Sequence, residues 1–529
     1  MKTDGMVSGC ACCDMSRRRF LVAGCAACAG LAAGVGAQDS GAAEKAVRNA
    51  GGAATRGNPR VRIVYALHGV IQPKPTWPHV GFDFAPVMEK IESTLKQGCP
   101  GIEFVTSTAT TPEDAAAVLK EDKGADITGY VVYQMNNWND VAPTFVASGK
   151  PVLFVDFTYG GSGGFLRQTA GFLRNKAANV GFAASSNMDN VIAAVQCFKA
   201  ARDGGSAGFA AATAQVRLER TPKPGDLSCA QDLFATASIE EALGKMNESK
   251  ILAVRDQDSG KSDPFINIPM EKVSFAEINA AWEAADRDEM RAVANRWQET
   301  AAAIVDVSRE TLESSAAMYL GMKAVLKAHG ANAITMNCLG GFYGNYIHAY
   351  PCLGFFELNN EGLVGACECD VRSTGSMLVL NALTQGRPGY ISDPVLDTAT
   401  RRIIYAHCVA SNRPFGPKGA TNPFEILTHS EDRKGASLRS ILPVGYMTTT
   451  IEIDASKKQI LFHQGKAAAN DSDDRACRTK LVVEPVGDIE RLFTMWDQWG
   501  WHRVTVYGDL KEPIRALASA LKYEVVNEA

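Results

Sequence analysis

The stretch GLVGACECDVRSTGSMLVLNALTQGRPGYISDPVLDTATRRIIYAHC, residues 362–408, decides how the rest of the chain is read. An apolar run stops abruptly at Glu368 and Asp370, and a helix-length apolar segment follows. Asp393 then sits beside Pro394, and a second, strand-like apolar run ends at His407. Acids and an imidazole therefore fall where hydrophobic segments stop. A buried carboxylate is costly unless it is paired, protonated or bound to metal, so this placement predicts a polar pocket at the ends of core elements. Carboxylates with imidazole suit a divalent cation such as Mn²⁺. Cys367, Cys369 and Cys408 lie close by and keep a zinc site open, although their C-x-C spacing lacks a matching second pair.

Working outward, the 529 residues are too many for one ordinary core and predict several domains. With 46% hydrophobic and 21% charged residues the chain reads as globular, and a net charge of −4 offers no attraction for nucleic acid. Ser16-Arg17-Arg18-Arg19-Phe20-Leu21 matches the twin-arginine export pattern, and Val22 to Gly36 supplies the short apolar region of a signal peptide over residues 1–37. That region is about half a membrane span, so export to the periplasm is expected without stable membrane insertion. Val22-Ala23-Gly24-Cys25 leaves lipid anchoring as an alternative to simple cleavage. Of 14 cysteines, five lie in this leader and nine are scattered, which argues against a disulfide-built fold. Residues 38–59 carry no sustained apolar period and read as a linker.

From Val61 onward RVRIVYAL, IEFVTST, ITGYVVYQ and PVLFVDF read as strands, separated by helical segments. This alternation predicts a doubly wound parallel sheet over 60–178, with ligands gathering beyond the strand C-termini, where His68, Gln134, Asn136, Asn137 and Asp156 sit. Each of these polar groups has the competing role of capping a helix or shaping a turn. Gly160-Gly161-Ser162-Gly163-Gly164 lacks the spacing and lysine of a phosphate loop and reads as a flexible loop or lid. A second α/β domain is expected over 179–345, with the polar stretch 221–247 as an insertion. Beyond Pro443 apolar and polar residues alternate between polar turns, which predicts antiparallel strands and a barrel-like portion in a C-terminal domain over 346–529.

The acidic stretch resembles the L-fucose and L-arabinose isomerase family. Its members carry an A-E-x-D or C-E-x-D turn, a second carboxylate some two dozen residues later, and histidines further on; here Glu368 and Asp393 are 25 positions apart, His407 follows, and His502 lies in WGWHRVTVYGD. The resemblance implies a three-domain aldose–ketose isomerase using Mn²⁺, acting on an open-chain sugar through an enediol and assembling as a trimer or hexamer. It implies Glu368 and Asp393 as acid/base pair and metal ligands, with His407 and His502 completing the metal shell. Gln134, Asn136, Asn137, His348 and Asp370 become substrate-binding candidates, Asp370 with the alternatives of a helix cap or a supporting acid behind Glu368. Two other classes stay open: an exported sugar-binding protein without catalysis, and a metal-dependent hydrolase or lyase.

Overall fold

The computed structural model describes residues 57–255 and 259–529. The expected signal peptide, and all but the last residues of the expected linker, lie outside them. Pro59–Ala529 forms one unit in which two parallel sheets flank a barrel.

The first sheet contains β1 (Arg60–Ala66), β2 (Glu103–Ala109), β3 (Gly129–Gln134), β4 (Val152–Asp156) and β5 (Val180–Ala183) in the order β2-β1-β3-β4-β5, all parallel. β3, β4 and β5 are buried on both faces, which is why they read as unbroken apolar runs. β5 begins two residues past the expected boundary at 178, because the edge of the sheet is completed only after the helix Ser162–Arg174.

The second sheet runs β11-β10-β6-β8-β7, from β6 (Ile251–Arg255), β7 (Gly260–Phe265), β8 (Ile268–Ser274), β10 (Ala333–Met336) and β11 (Val364–Ala366), with only β7 antiparallel. β11 comes from the part of the chain assigned by sequence to the C-terminal domain. A short strand between them, β9 (Ala303–Val305), leaves this layer to pair with β14 (Phe424–Leu427), which in turn pairs with β15 (Ser437–Ser440).

The barrel is closed by six antiparallel strands: β12 (Tyr390–Asp397), β13 (Arg402–His407), β16 (Met447–Asp454), β17 (Gln459–Asn470), β18 (Thr479–Val486) and β19 (Arg503–Tyr507). Their cyclic order is β16-β19-β12-β13-β18-β17, and β20 (Glu524–Asn527) adds in parallel to β17. The antiparallel part thus starts at Tyr390, well before Pro443. β12 is buried along its whole length, so its sequence lacks the alternation that marks a one-sided strand.

One expectation is corrected. The glycine-rich run 160–164 is the buried turn that starts the helix Ser162–Arg174, not a mobile loop. A Cβ at Gly161 would lie 1.8 Å from the Gln134 carbonyl oxygen and one at Gly163 2.7 Å from the Trp501 ring, so these glycines serve close approach. The polar segment 222–237 is a strap across the barrel side of the molecule. Its Ala230 and Ala237 amides donate to Gly445 and Leu383 carbonyls, Asp232 pairs with Arg387, and Phe234 lies 3.7 Å under that guanidinium. Among the described residues no helix is long and apolar enough to cross a membrane.

Candidate metal centre

Glu368, Asp393, His407 and His502 each offer a ligand atom within 4.8 Å of the others. The barrel's register brings three of them together. β12 lies between β13 and β19, and pairing of Ser392 with Arg503 and of Asp393 with Ala406 sets His502 and His407 on either side of Asp393. Glu368 arrives from the second sheet, two residues beyond β11. Glu368 and Cys369 both adopt left-handed backbone (φ 64° and 53°), a conformation costly outside glycine. The turn is pinned by the Cys369 amide donating to the Met336 carbonyl at 2.8 Å, and by the Thr335 hydroxyl donating to the Cys367 carbonyl. Asp370 then caps the helix Val371–Leu383 by accepting the Ser373 amide at 3.1 Å. Met377, Val379, Leu380 and Leu383 of that helix are fully buried, each worth roughly 1.5–3 kcal/mol, and they fix the turn from behind.

His502 Nε2 is 3.5 Å from Glu368 Oε2 and 3.4 Å from Asp393 Oδ1; His407 Nε2 is 3.6 Å from Glu368 Oε1 and 3.9 Å from Asp393 Oδ2. Asp393, His407 and His502 are buried, while Glu368 keeps 26% of its side chain exposed and forms the mouth. Burial pushes the Glu368 carboxyl up, but the imidazoles, His502 foremost, hold it below the usual carboxylate range. Burial dominates at Asp393 and lifts it to about 6 against the pull of the same imidazoles. Burial opposes charging of both rings and the carboxylates overcome it, so both histidines are raised, His502 well above its ordinary value.

The two rings are wired differently. His502 Nδ1 faces Asp370 Oδ2 at 2.9 Å, so a neutral His502, the form that binds a cation, carries its proton there and turns the Nε2 lone pair toward the cluster. His407 Nδ1 accepts the Cys408 amide at 2.9 Å, so a neutral His407 carries its proton on Nε2, facing the two acids. Asp393 Oδ1, His407 Nε2 and His502 Nε2 are buried without a hydrogen-bond partner. Unpaired buried polar atoms cost about 1–3 kcal/mol each; a cation would relieve that cost at Asp393 Oδ1 and His502 Nε2, and an oxygen acceptor would at the His407 N–H, so the residues fit a divalent ion with an oxygen ligand beside it. No cysteine sulfur belongs to the group. Cys369 Sγ accepts from Arg255, and Cys367 lies beside Cys338. All nine cysteines among the described residues are free thiols.

Of the other sequence candidates, Asp370 touches His502, and the rest have partners of their own. Gln134 Nε2 donates to Asn139 Oδ1, Asn136 Oδ1 accepts the His68 amide while its Nδ2 donates to the Trp77 carbonyl, and Asn137 Oδ1 accepts the Gly164 amide. These side chains shape the turn after β3. His348 lies 3.4 Å from Glu283 and against Trp282. Asp370 is directed at His502 and Ser373, with its carboxyl held at about 2 as His502 outweighs burial. Sequence reading missed Trp501, the residue before His502, which packs on Gly163 and stacks on Trp138 at 4.0 Å and so ties this segment to the first sheet. It also missed Glu452, buried behind Asp370 and sharing the Ser373 hydroxyl.

No family model matches the chain. It is 28% identical over 216 residues to a sulfoquinovose isomerase of Clostridium sp. (strain MSTE9), covering 39% of this chain and 46% of that protein. It is 25% identical over 222 residues to the sulfoquinovose isomerase of Priestia aryabhattai, covering 41% and 48%. The chain thus spans about half the length of the curated relatives it matches. A solute-binding protein of an ABC transporter from Bacillus halodurans, solved with myo-inositol, covers 59% of this chain and 92% of its own at 11% identity and a TM-score of 0.17, too low to indicate a shared fold.

Proposed function

We propose that the protein interconverts an aldose and its ketose by moving a proton between neighbouring carbons of an open-chain sugar held at Glu368, Asp393, His407 and His502. One observation carries this reading: two acids 25 positions apart, with opposite shifts in acidity, share one buried centre with two imidazoles. Pairs of acids whose environments push them apart suit acid–base work.

Asp393, buried between the two imidazoles, is placed to take the C2 proton and return it to the neighbouring carbon, through an enediol. Glu368 stays an anion and faces the mouth. His407, holding a proton at Nε2, is placed to hand it to the C1 oxygen as the enediol forms and to take one back from the C2 hydroxyl as the ketone forms, so no proton is lost. Glu368, Asp393 and His502 would hold the divalent ion, Mn²⁺ being the first to test. Bound there, such an ion polarises the carbonyl and hydroxyl oxygens of the sugar as a Lewis acid. The relatives put sulfoquinovose beside fucose and arabinose as substrates to try.

The reading includes twin-arginine export to the periplasm, supported by Ser16–Leu21, and assembly as a trimer or hexamer, supported by the isomerase resemblance. Light scattering and cell fractionation test these. The activity test is proton exchange. Mature protein loaded with Mn²⁺ and incubated with each sugar in D₂O is expected to place deuterium at C2 of at least one, seen by NMR. Glu368→Gln is expected to abolish the exchange while leaving the circular dichroism unchanged. Exchange that survives in Glu368→Gln removes that residue from the chemistry, and tight sugar binding with no exchange points to a receptor.

A further inference from the structure

A cavity of about 970 Å³ opens between the carboxyl ends of β3 to β5 and the outer face of the barrel, and none of the four clustered residues lines it. Asp397, which does, stands four residues along β12 from Asp393, about 13 Å at strand rise. The cavity is at the end of the first sheet where ligands of doubly wound sheets collect, and its volume falls in the range of small-molecule sites.

At its floor is Asp156, 4% exposed. Its Oδ2 accepts the Ser162 hydroxyl at 2.6 Å, while Oδ1 has no hydrogen-bond partner. Burial pushes this carboxyl up to about 7, with Ser162 and Arg475 opposing. An acceptor left unpaired in such a place is expected to have one supplied. Phe157 and Tyr159 line the cavity beside it, and the Arg475 guanidinium lies over both rings at 5.1 and 5.6 Å.

Most charges along the inner wall are already matched, Arg402 by Glu484 at 3.7 Å among them. Arg475 Nη2 pairs with Asp473 at 2.7 Å, the Tyr159 hydroxyl donates to Asp471, and Asp397 accepts from the Ser186 amide and hydroxyl and from Thr400. Lys90, on the exposed rim, is the lining cation without an ion pair among the described residues, so the inner wall around Asp156 holds no unmatched cation for an anion. What the cavity offers is a hydroxyl acceptor beside aromatic faces, the combination that takes hydroxyl donors on one side of a ring and C–H groups on the other.

We propose that this cavity is a second ligand site, for a neutral polyhydroxylated molecule, sugar or polyol, that donates a hydroxyl to Asp156 Oδ1 and lays a C–H face on Phe157 and Tyr159. The ligand needs no metal and is not consumed. The site therefore stands apart from the isomerase reading.

Equilibrium dialysis of the chelated full mature chain with radiolabelled D-glucose, maltose, D-glucitol and myo-inositol tests this, the last two being unable to isomerise. One equivalent per chain of at least one compound is expected to bind, and equally to Glu368→Gln. Asp156→Asn is expected to weaken binding about tenfold or more, the share of one hydrogen bond to a charged group. Thr94→Trp, which fills the cavity from the half-buried helix on its rim, is expected to do the same, and it decides the matter should Asp156→Asn fail to fold. Binding of sugars alone identifies a sugar ligand, and binding of glucitol or inositol alone a polyol. The proposal is overturned if none of the four binds at millimolar concentration, or if binding ignores a folded substitution at either position.

Discussion

Replacing Asp370 by asparagine separates two roles of one carboxylate. Oδ1 accepts the Ser373 amide at 3.1 Å and starts the helix Val371–Leu383; Oδ2 faces His502 Nδ1 at 2.9 Å and fixes which nitrogen of that ring meets the cluster. Asparagine caps a helix about as well as aspartate, so Asp370→Asn should keep the helix start while removing the negative charge from the imidazole. A charge-assisted hydrogen bond is about twice as strong as a neutral one, and supporting partners of metal-binding histidines carry roughly 10–100-fold in affinity. Mn²⁺ binding by Asp370→Asn is therefore expected to weaken roughly 10–100-fold, about 1.4–2.7 kcal/mol. Competition against a fluorescent chelator reads this directly. Asp370→Ala should lose the same contact and the cap as well, unfolding about 1 kcal/mol more easily than Asp370→Asn in denaturant. Mn²⁺ affinity equal to wild type in Asp370→Asn would show that Asp370 does not orient a ligand. Equal stability of the two variants would refute the capping half.

Three further outcomes are expected. Because His502 offers a lone pair and His407 a proton at the cluster, His502→Gln should reduce Mn²⁺ affinity far more than His407→Gln, while His407→Gln lowers turnover; equal losses of affinity in the same chelator competition would make both rings ligands. Gly161→Ala puts a methyl 1.8 Å from a backbone oxygen and should destabilise by about 3 kcal/mol, the upper end for overpacking, and a wild-type thermal midpoint would contradict the close approach. His329 is raised by hydrogen bonds to Glu277 and Glu271, so the stability it contributes is complete below its unfolded value near 6.5 and fades as pH climbs through the raised native one. Wild type should therefore lose its advantage over His329→Gln between mildly acid and alkaline pH, and parallel melting curves across that range would contradict it.

Sequence exposed those parts of the molecule that depend on neighbours along the chain. The apolar runs ending at Glu368 and His407 are strand and turn boundaries in the structure, and a carboxylate at such an end is conspicuous because burial without a partner is costly. The strands of the first sheet and the helix after Asp370 were legible for the same reason. The glycine-rich turn was misread because composition reports conformational freedom, whereas the proximity of Gln134 and Trp501 to Gly161 and Gly163 is set by contacts from 27 to several hundred residues away. The strap's packing is equally non-local, since Asp232 meets Arg387 155 positions on.

His502 shows the limit most clearly, since nothing local distinguishes a histidine before a strand from a core histidine, and only the family resemblance singled it out. Its place beside Asp393 depends on the register of β19 against β12, and a slip of one residue would turn the facing side chains to the other side of the sheet. That register is held in turn by β16, which pairs with β19 on one side and closes the barrel on β17 on the other. Closing the barrel leaves none of its strands free to slide, so a ring of pairings around the molecule fixes three of the clustered side chains on neighbouring strands. The fourth, Glu368, is held from outside the ring by the strained turn after β11. The two structures can therefore be perturbed separately: damage to the ring should scatter Asp393, His407 and His502 together, whereas damage to the turn should remove Glu368 alone.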